Sequence, residues 1–227
     1  MSGPRGEILR TARLLMRPGD VHEVRIPKAG RLGTISGYFD DPEKLATAVL
    51  VYDGTVPGVY ATMNPCNPAL LSRAVNRLKP WARETTSDTD IVRRRWLLLD
   101  FDPVRAAGIS TTEAEHRRAF TVAYAAMDDL HGAGWPDPVV ADSGNGAHLL
   151  YRRDLPNDAA ATERVKRFLA GVAAQCRTDD IAVDQTVFNA ARIVKLYGSM
   201  ACKGDSTPDR PHRRSRMLDI PTHMEAL

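Results

Sequence analysis

The sequence predicts a mixed α+β fold, in which an N-terminal β-α-β-α unit packs on a second unit of strand, helix, hairpin, helix and strand. Residues 96–99 are apolar on both faces, as in a central strand. The pair Asn145-Gly146 between two apolar runs indicates a hairpin. Apolar residues at helical spacing flank these features. With 227 residues, the chain can form one substantial domain or two small lobes that share a cleft.

The elements of the first unit are bounded by cap and turn residues. Asp41 occupies the N-cap of a helix and Pro42 its first position. The predicted order is a lead helix over 7–16, a strand over 33–39, the helix from Pro42, a strand over 59–63 and a helix over 68–78.

The second unit contains the central strand, and its helices carry their own start signals. Residues 110–113, Ser-Thr-Thr-Glu, indicate a capping box that opens a helix ending at Gly132. Asn157 or Asp158 caps the next helix. Residues 181–183 alternate in the manner of a short last strand.

Two aspartates, Asp100 and Asp102, close the apolar run of the central strand. Alternate side chains of a strand share a face, so both carboxylates point the same way, about 6.5–7 Å apart. Such carboxylates are hard oxygen ligands of the kind that Mg²⁺ or Mn²⁺ needs for phosphoryl transfer. The alternative is a pair of aspartates that merely ends a strand.

The hairpin supplies a second set of polar groups. If Asn145-Gly146 is a two-residue loop, Ser143 lies directly opposite His148, with their Cβ atoms about 4.5–5.5 Å apart. A hydroxyl and an imidazole beside the bare backbone of Gly144 form a donor cluster for phosphate oxygens. The alternative is a plain surface hairpin whose histidine packs across the strands.

A third carboxylate, Asp184, ends the last predicted strand, and basic residues follow at Arg192, Lys195 and Lys203. A two-metal site requires a third carboxylate, because two alone rarely hold both ions. The cations suit the β- and γ-phosphates of a nucleotide. Taken singly, Asp184 is equally a turn residue and Lys195 part of a solvated face.

The ordered set of motifs resembles the archaeo-eukaryotic primase superfamily, and in particular its primase-polymerase branch from bacterial, plasmid, phage and CRISPR-associated replication proteins. The resemblance covers roughly residues 35–205. It extends to Gly198-Ser199 after the basic positions, where the family more often has Thr than Ser. Upstream it includes residues 59–65 and 85–95.

The resemblance implies an RRM-like catalytic core and roles for the residues above. Asp100, Asp102 and Asp184 match the acidic triad that binds two Mg²⁺ or Mn²⁺ ions. The positions that match its nucleotide-binding residues are Ser143, Gly144, Asn145, His148, Arg192 and Lys195. The weaker candidates for contacting DNA are Asn64, Arg93, Arg94 and Arg95.

The implied function is a template-dependent DNA primase/polymerase that extends a 3′-hydroxyl on single-stranded DNA, with de novo initiation of primers as an extension of that activity. The implied partners are a single-stranded template and primer, dNTPs or NTPs, and a fused or separate helicase, with the chain as the catalytic piece of a larger replication protein. We expect a cytoplasmic protein without a membrane segment or signal peptide.

The chain divides, on this interpretation, into four segments that form one functional domain. Net charge is +3, too small to argue for nucleic acid by itself. The three cysteines are widely spaced, which excludes a zinc knuckle or a disulfide framework. The segments are a lead and helix over 1–32 with a disordered start, an α/β subdomain over 33–90, the RRM-like subdomain over 91–205 and a basic tail over 206–227.

Two other functions remain open at this point. Asp100-Phe101-Asp102 followed by Pro-Val fits the nucleophile pattern of haloacid-dehalogenase-type phosphatases, and Lys203-Gly204-Asp205 mimics a later element of that family, although that family separates the Lys from the Gly-Asp by a helix and a strand. A non-catalytic RRM-like module that binds single strands is the third possibility, but it expects exposed aromatic residues, and these make up 6% of the chain.

Overall fold

The structure is a computed structural model that describes residues 3–223. Its helices and strands follow one another in the order below. The helices are α1 (Pro4–Leu15), α2 (Pro42–Val49), α3 (Glu113–Gly132) and α4 (Ala159–Gln175). The strands are β1 (His22–Ile26), β2 (Ile35–Phe39), β3 (Tyr60–Thr62), β4 (Arg94–Pro103), β5 (Val139–Asp142), β6 (Ala147–Leu155), β7 (Ile181–Val183), β8 (Ile193–Lys195), β9 (Met200–Ala201), β10 (Arg213–Arg214) and β11 (Arg216–Asp219).

A five-stranded antiparallel sheet, in the order β11-β5-β6-β4-β7, forms the second unit. Strand β4 lies inside it between β6 and β7, as the apolar run predicts. Helix α3 packs on β4, β6 and β7. The chain order of β4, α3, the β5-β6 hairpin, α4 and β7 is the split β-α-β order of an RRM-like core. The predicted α+β class and the order of this unit are confirmed.

A second antiparallel sheet has the order β2-β1-β3-β8. Strand β8 comes from the C-terminal half of the chain, so this sheet joins the two predicted subdomains and brings β8 beside the end of β4. Strand β1 was not predicted from the sequence, because its charged residues interrupt the apolar pattern that indicates a strand. Glu23 is fully buried there and accepts hydrogen bonds from Arg25 (2.5 Å) and Ser36 (2.6 Å).

Two predicted helix boundaries are wrong. The helix expected over 68–78 is a short 3-10 helix, Pro68–Arg73, because the following backbone bridges to the edge of β2 instead of continuing the helix. The capping box of α3 is Thr112 with Glu115, and not residues 110–113. Ser110 instead donates its hydroxyl hydrogen bond to the Lys203 carbonyl (3.1 Å).

The two ends of the chain are more ordered than predicted. Helix α1 begins at Pro4, so the disordered start does not extend over residues 4–6, while residues 1–2 lie outside the described part. In the expected basic tail, β10 pairs with β9 and β11 pairs with β5. Residues 224–227 also lie outside the described part.

No helix between residues 3 and 223 is long and apolar enough to cross a membrane.

Candidate active site

The central strand β4 positions the first two predicted ligands. Asp100 and Asp102 alternate along β4 with buried Phe101 between them, and both line one cleft. Asp100 lies opposite His148 of β6, and its Oδ1 is 3.4 Å from His148 Nε2. Among the described residues this buried Oδ1 has no hydrogen-bond partner. A buried carboxylate oxygen without a donor is unusual and is suited to accept a cation.

The two carboxylates titrate in opposite directions. Burial raises the pKa of Asp102, and the negative charge of Asp100 raises it further. Burial acts in the same sense on Asp100, but the nearby His148, with Lys203 and Arg192, holds the pKa of Asp100 below its ordinary value. Two like charges on one face therefore repel each other unless a cation lies between them.

Asp184 directly follows β7, the strand that pairs with the end of β4. Its amide donates a 2.9 Å hydrogen bond to the Asp100 carbonyl directly after the β7-β4 pairing. Its carboxylate, however, caps a 3-10 helix over Gln185–Phe188 and accepts from the Thr186 amide (2.7 Å). The three backbones converge, whereas within residues 3–223 no three acidic, His or Cys side chains are arranged to hold a metal ion.

The predicted register of the hairpin is wrong. Asp142 pairs with Ala147 and Ala141 pairs with His148, so the loop has four residues, 143–146, and Ser143 does not lie opposite His148. The positive φ is at Gly144 (90°), not at Asn145 or Gly146. The Ser143 hydroxyl accepts from the Gly146 amide (3.0 Å) and donates to the Gly146 carbonyl (3.1 Å). Such local side-chain bonds favour the wider loop over a type I′ turn.

The loop is held against the end of β4 by buried contacts. Asp142 accepts from the Gly144 amide (2.7 Å) and lies 2.9 Å from His116 Nε2. The Asn145 side chain accepts from the Thr111 amide (3.0 Å). At Gly146, a Cβ would lie 2.8 Å from Asp102 Oδ1 and 2.2 Å from the Phe101 carbonyl, so only glycine allows this approach.

A cleft of about 230 Å³ joins the hairpin, the end of β4 and strand β8. Lys195 is 3% exposed there, and its ammonium donates to the Met200 carbonyl (2.6 Å) and lies 5.4 Å from the Tyr60 ring centroid. Burial lowers the pKa of Lys195 to about 7. The predicted residues that line this cleft are Asp100, Asp102, Ser143, Asn145, His148, Arg192 and Lys195.

Arg192 lines the same cleft as Lys195. The strand begins at Ile193, so Arg192 is outside the alternation. Its guanidinium donates to the Thr186 carbonyl (2.5 Å) and hydroxyl (3.0 Å). These bonds fix the cation beside the segment that Asp184 caps.

Sequence reasoning missed two tyrosines of the site, and it named Lys203 only as a basic residue after Asp184. The fully buried Tyr197 shares a 2.8 Å hydrogen bond with His148 Nδ1, and burial raises its pKa well above the ordinary value. Tyr60 on β3 lines the cleft under Lys195, and Lys203 Nζ lies 3.9 Å from Asp102 Oδ2. The alternation of Lys195 and Tyr197 was a signal for the first of these.

The predicted DNA-contacting residues have internal partners. Asn64 is fully buried, accepts from the Arg95 and Trp96 amides (2.7 and 3.2 Å) and donates to the Ala190 carbonyl (3.0 Å). Arg94 is 5% exposed and donates to the Phe188 carbonyl and the Thr162 hydroxyl (both 2.7 Å). These two residues connect elements of the fold, and such burial does not fit a place on a DNA groove.

The two other arginines of the cluster form ion pairs. Arg95 pairs with the buried Asp20, and Arg93 pairs with Asp154 on the surface. Arg93 is 44% exposed, so it is the residue of this cluster that a polyanion reaches most easily.

The phosphatase alternative does not fit this site. Lys203 and Gly204-Asp205 are adjacent in the loop after β9, without the helix and strand that separate these elements in that family. The strands next to β4 are antiparallel to it, and one of them places His148 against Asp100.

The site fits a divalent cation at the Asp100-Asp102 pair. One buried oxygen of Asp100 lacks a partner among the described residues, and burial together with the charge of Asp100 raises the pKa of Asp102. The donors are carboxylate oxygens, which Mg²⁺ and Mn²⁺ prefer. The third carboxylate is one strand away.

Comparisons with known proteins identify the fold. No family model matches the chain, and no curated protein matches it. The crystal structure of primase RepB′ gives a TM-score of 0.53 at 10% identity and covers 97% of this chain and 58% of that one. The catalytic domain of primase RepB′ in complex with initiator DNA gives a TM-score of 0.50 at 9% identity and covers 96% and 87%.

The chain therefore spans somewhat more than half the length of the first of these primases. At such identities the likeness shows the fold. The predicted relationship to the primase-polymerases is confirmed at that level: this chain has the fold of a primase catalytic domain.

Proposed function

We propose that this chain is a template-dependent DNA primase/polymerase that adds nucleotides to a 3′-hydroxyl on single-stranded DNA. One observation supports the proposal most strongly. Two carboxylates, one with an unpartnered buried oxygen among the described residues, face a cleft whose other walls carry three cations. Opposite charges arranged in this way suit a phosphate chain whose own charge is neutralised by metal.

In this proposal Asp100 and Asp102 hold Mg²⁺ or Mn²⁺, and Asp184 is the third ligand of a two-metal site. When bound, these ions supply Lewis-acid chemistry that lowers the pKa of the attacking hydroxyl and neutralises the pyrophosphate that leaves. The Asp184 amide donates to the Asp100 carbonyl, so the backbone of the proposed third ligand adjoins that of the pair, which supports this assignment.

The remaining residues bind and orient the triphosphate. The Tyr197 hydroxyl and His148 Nδ1 share a 2.8 Å hydrogen bond. In the tautomer in which the hydroxyl donates to Nδ1, the imidazole proton is on Nε2, which faces Asp100 and the cleft. His148 is then a donor to a phosphate oxygen. Lys195 and Arg192 offset the phosphate charge. Ser143, Gly144 and Asn145 shape the loop that borders it.

The proposed substrates are dNTPs or NTPs with a single-stranded DNA template and a primer, and the proposal includes de novo initiation. The solved relative in complex with initiator DNA is consistent with a DNA partner for this fold. A fused or separate helicase and a cytoplasmic replication machinery belong to the same proposal.

Nucleotide incorporation on defined templates tests this proposal. Labelled dNTPs and NTPs are supplied with primed and unprimed single-stranded DNA, in Mg²⁺, in Mn²⁺ and in EDTA. We expect metal-dependent extension of the primed template, and products on the unprimed one if the chain also initiates. Arg117→Ala, at an exposed residue of α3 that does not line the cleft, serves as a surface control with unchanged incorporation.

Two results would contradict the proposal. A folded protein that incorporates no nucleotide in either metal but binds DNA equally well in EDTA would be a non-catalytic binding module. Phosphate release from small phosphoesters without extension would return the phosphatase alternative.

A further inference from the structure

An exposed tryptophan lies on the outer side of the second sheet, away from the cleft. Trp81 is 66% exposed, and its φ of 53° is in the left-handed region that non-glycine residues seldom adopt. Its amide donates to the Leu32 carbonyl and its indole Nε1 to the Arg31 carbonyl, both at 3.0 Å. These bonds hold the ring in one place while leaving it in contact with solvent.

The ring of Trp135, in contrast to that of Trp81, is covered by neighbouring side chains. It stacks on Phe168 with ring centroids 4.3 Å apart, and the Arg153 guanidinium lies 4.0 Å from its centroid. No aromatic ring or cation between residues 3 and 223 stacks on Trp81 in this way. A face of the Trp81 ring is therefore available to a planar group from outside.

Cations are frequent in the segments next to Trp81, and Arg73, Lys79 and Arg83 line the same cavity as the ring. Arg73 pairs with Glu84 (3.2 Å). Four further exposed cations make no ion pair with any described residue, and they are Arg31, Arg77, Lys79 and Arg83. Unpaired cations around a free aromatic face are the features that bind single-stranded nucleic acid, whose bases stack while its phosphates contact the cations.

A cavity of about 350 Å³ opens beside the ring. The walls include Trp81 and Arg83, and the floor includes Ser36 and the 1% exposed Tyr38. The Tyr38 hydroxyl is a polar group at this floor and accepts from Arg73 (3.3 Å). A nucleobase stacked on the ring has room here, with polar groups at its edge.

We propose that this Trp81 platform (Trp81 with Arg31, Arg77, Lys79 and Arg83) binds single-stranded DNA by stacking a base on the indole. The inference rests on the proposed function, because the strand it holds is the template of that reaction. The platform borders β2 and the cleft borders β8, so the order β2-β1-β3-β8 puts them roughly 15–20 Å apart. That distance corresponds to about four to six stacked nucleotides.

Binding is measured with the full chain and a labelled 20-residue oligo-dT, by fluorescence anisotropy in EDTA and without nucleotide. Stacking on one aromatic residue predicts a loss of about five- to a hundredfold in affinity for Trp81→Ala. Trp81→Phe is expected to retain most of the affinity, since it keeps a ring. Val51→Ala, at another strongly exposed apolar residue (73%), is the matched control and is expected to bind as the wild type.

A second measurement, the quenching of tryptophan fluorescence by DNA, uses the wild-type protein and so does not depend on the folding of a variant. Oligo-dT is expected to quench the emission of the wild-type protein, because Trp81 is far more exposed than Trp96 (3%). Lys79→Glu is expected to weaken binding and reduce its dependence on salt. Unchanged affinity in folded Trp81→Ala, or no quenching by DNA that binds, would overturn the inference.

The two proposals fail separately. Trp81-dependent DNA binding without any incorporation by the wild type would remove the polymerase function and leave the platform. Incorporation by the wild type together with unchanged binding by Trp81→Ala would remove the platform and leave the polymerase function.

Discussion

The two ends of strand β4 carry charged clusters, and the surroundings of these two clusters differ. At its start, Arg94 and Arg95 are engaged by a carbonyl, a hydroxyl and the Asp20 carboxylate. At its end, Asp100 and Asp102 face a cleft, and one buried oxygen has no partner within the described part of the chain. The carboxylates at the end line an open cleft, whereas Arg94 at the start is buried among groups of the fold. A charged cluster therefore indicates a binding site when it faces open space, and a connection within the fold when it is enclosed by its partners.

The largest effect is expected at the open end of the strand. Asp100→Asn and Asp102→Asn should each reduce nucleotide incorporation by about a thousandfold or more, because they remove charge that a divalent cation requires. The free energy of unfolding should not fall for Asp102→Asn, since repulsion between like charges raises the pKa of Asp102. Primer extension and urea denaturation measure the two quantities. Near-normal extension by a folded variant would break the comparison.

Asp184→Asn tests whether the third carboxylate is a metal ligand or only a helix cap. Asparagine keeps an oxygen that can accept from the Thr186 amide, so the helix cap and the stability are retained. If Asp184 is a metal ligand, incorporation should still fall by about a hundredfold or more. Unchanged incorporation would show that this carboxylate is a cap alone.

Arg94→Met tests the closed end. It removes two hydrogen bonds from a buried guanidinium and leaves the Phe188 carbonyl without its donor, so we expect a loss of about 2–4 kcal/mol in the free energy of unfolding. Incorporation per folded molecule should remain. The matched control is Arg93→Ala, whose exposed ion pair predicts a loss below about 1 kcal/mol. Equal losses in the two variants would contradict the contrast drawn between them.

The smallest effect concerns the buried cation of the cleft. The pKa of Lys195 is about 7, with Cys202, Asp53, Lys203 and Arg214 as the other charged or titratable groups around it. Protonated Lys195 attracts phosphate, so nucleotide affinity should fall by about tenfold as pH rises from 6 to 8. Lys195→Met should bind weakly at both pH values. Calorimetric titration with a nucleotide measures this, and the same pH slope in Lys195→Met would rule Lys195 out as its source.

Lys195 has the opposite effect on stability. Its pKa in the folded state lies below the unfolded value, so the unfolded chain binds more protons between pH 7 and 10. The contribution of Lys195 to stability therefore rises with pH over that window. Relative to the wild type, Lys195→Met should be more stable at pH 6 than at pH 10.

The central strand and its neighbours could be predicted because a run apolar on both faces has few other interpretations. The grouping of Asp184 with Asp100 was implied by the resemblance to the primase-polymerases, and the structure joins the two residues through their backbones. The hairpin register could not be predicted, since the Ser143 hydroxyl bonds within the loop and overrides the Asn-Gly turn signal. Strand β1 was concealed by Glu23, a charge whose partners are distant in sequence.

Tertiary partners also explain why Arg94 and Arg95, which were predicted to contact DNA, instead have partners within the fold. Sequence shows three adjacent cations but not that Phe188, Thr162 and Asp20 are placed to bind two of them. The exposure of Trp81 could not be predicted for the same reason, because nothing in the sequence distinguishes Trp81 from the covered Trp135.

Direct titration with Mn²⁺, followed by electron paramagnetic resonance, tests the central claim most directly, because it needs neither DNA nor catalysis. The wild-type chain should bind Mn²⁺, and Asp100→Asn and Asp102→Asn should each weaken that binding by about tenfold or more. Mn²⁺ affinity that is equal in the wild type and in both folded variants would contradict the assignment of the Asp100-Asp102 pair as a metal site.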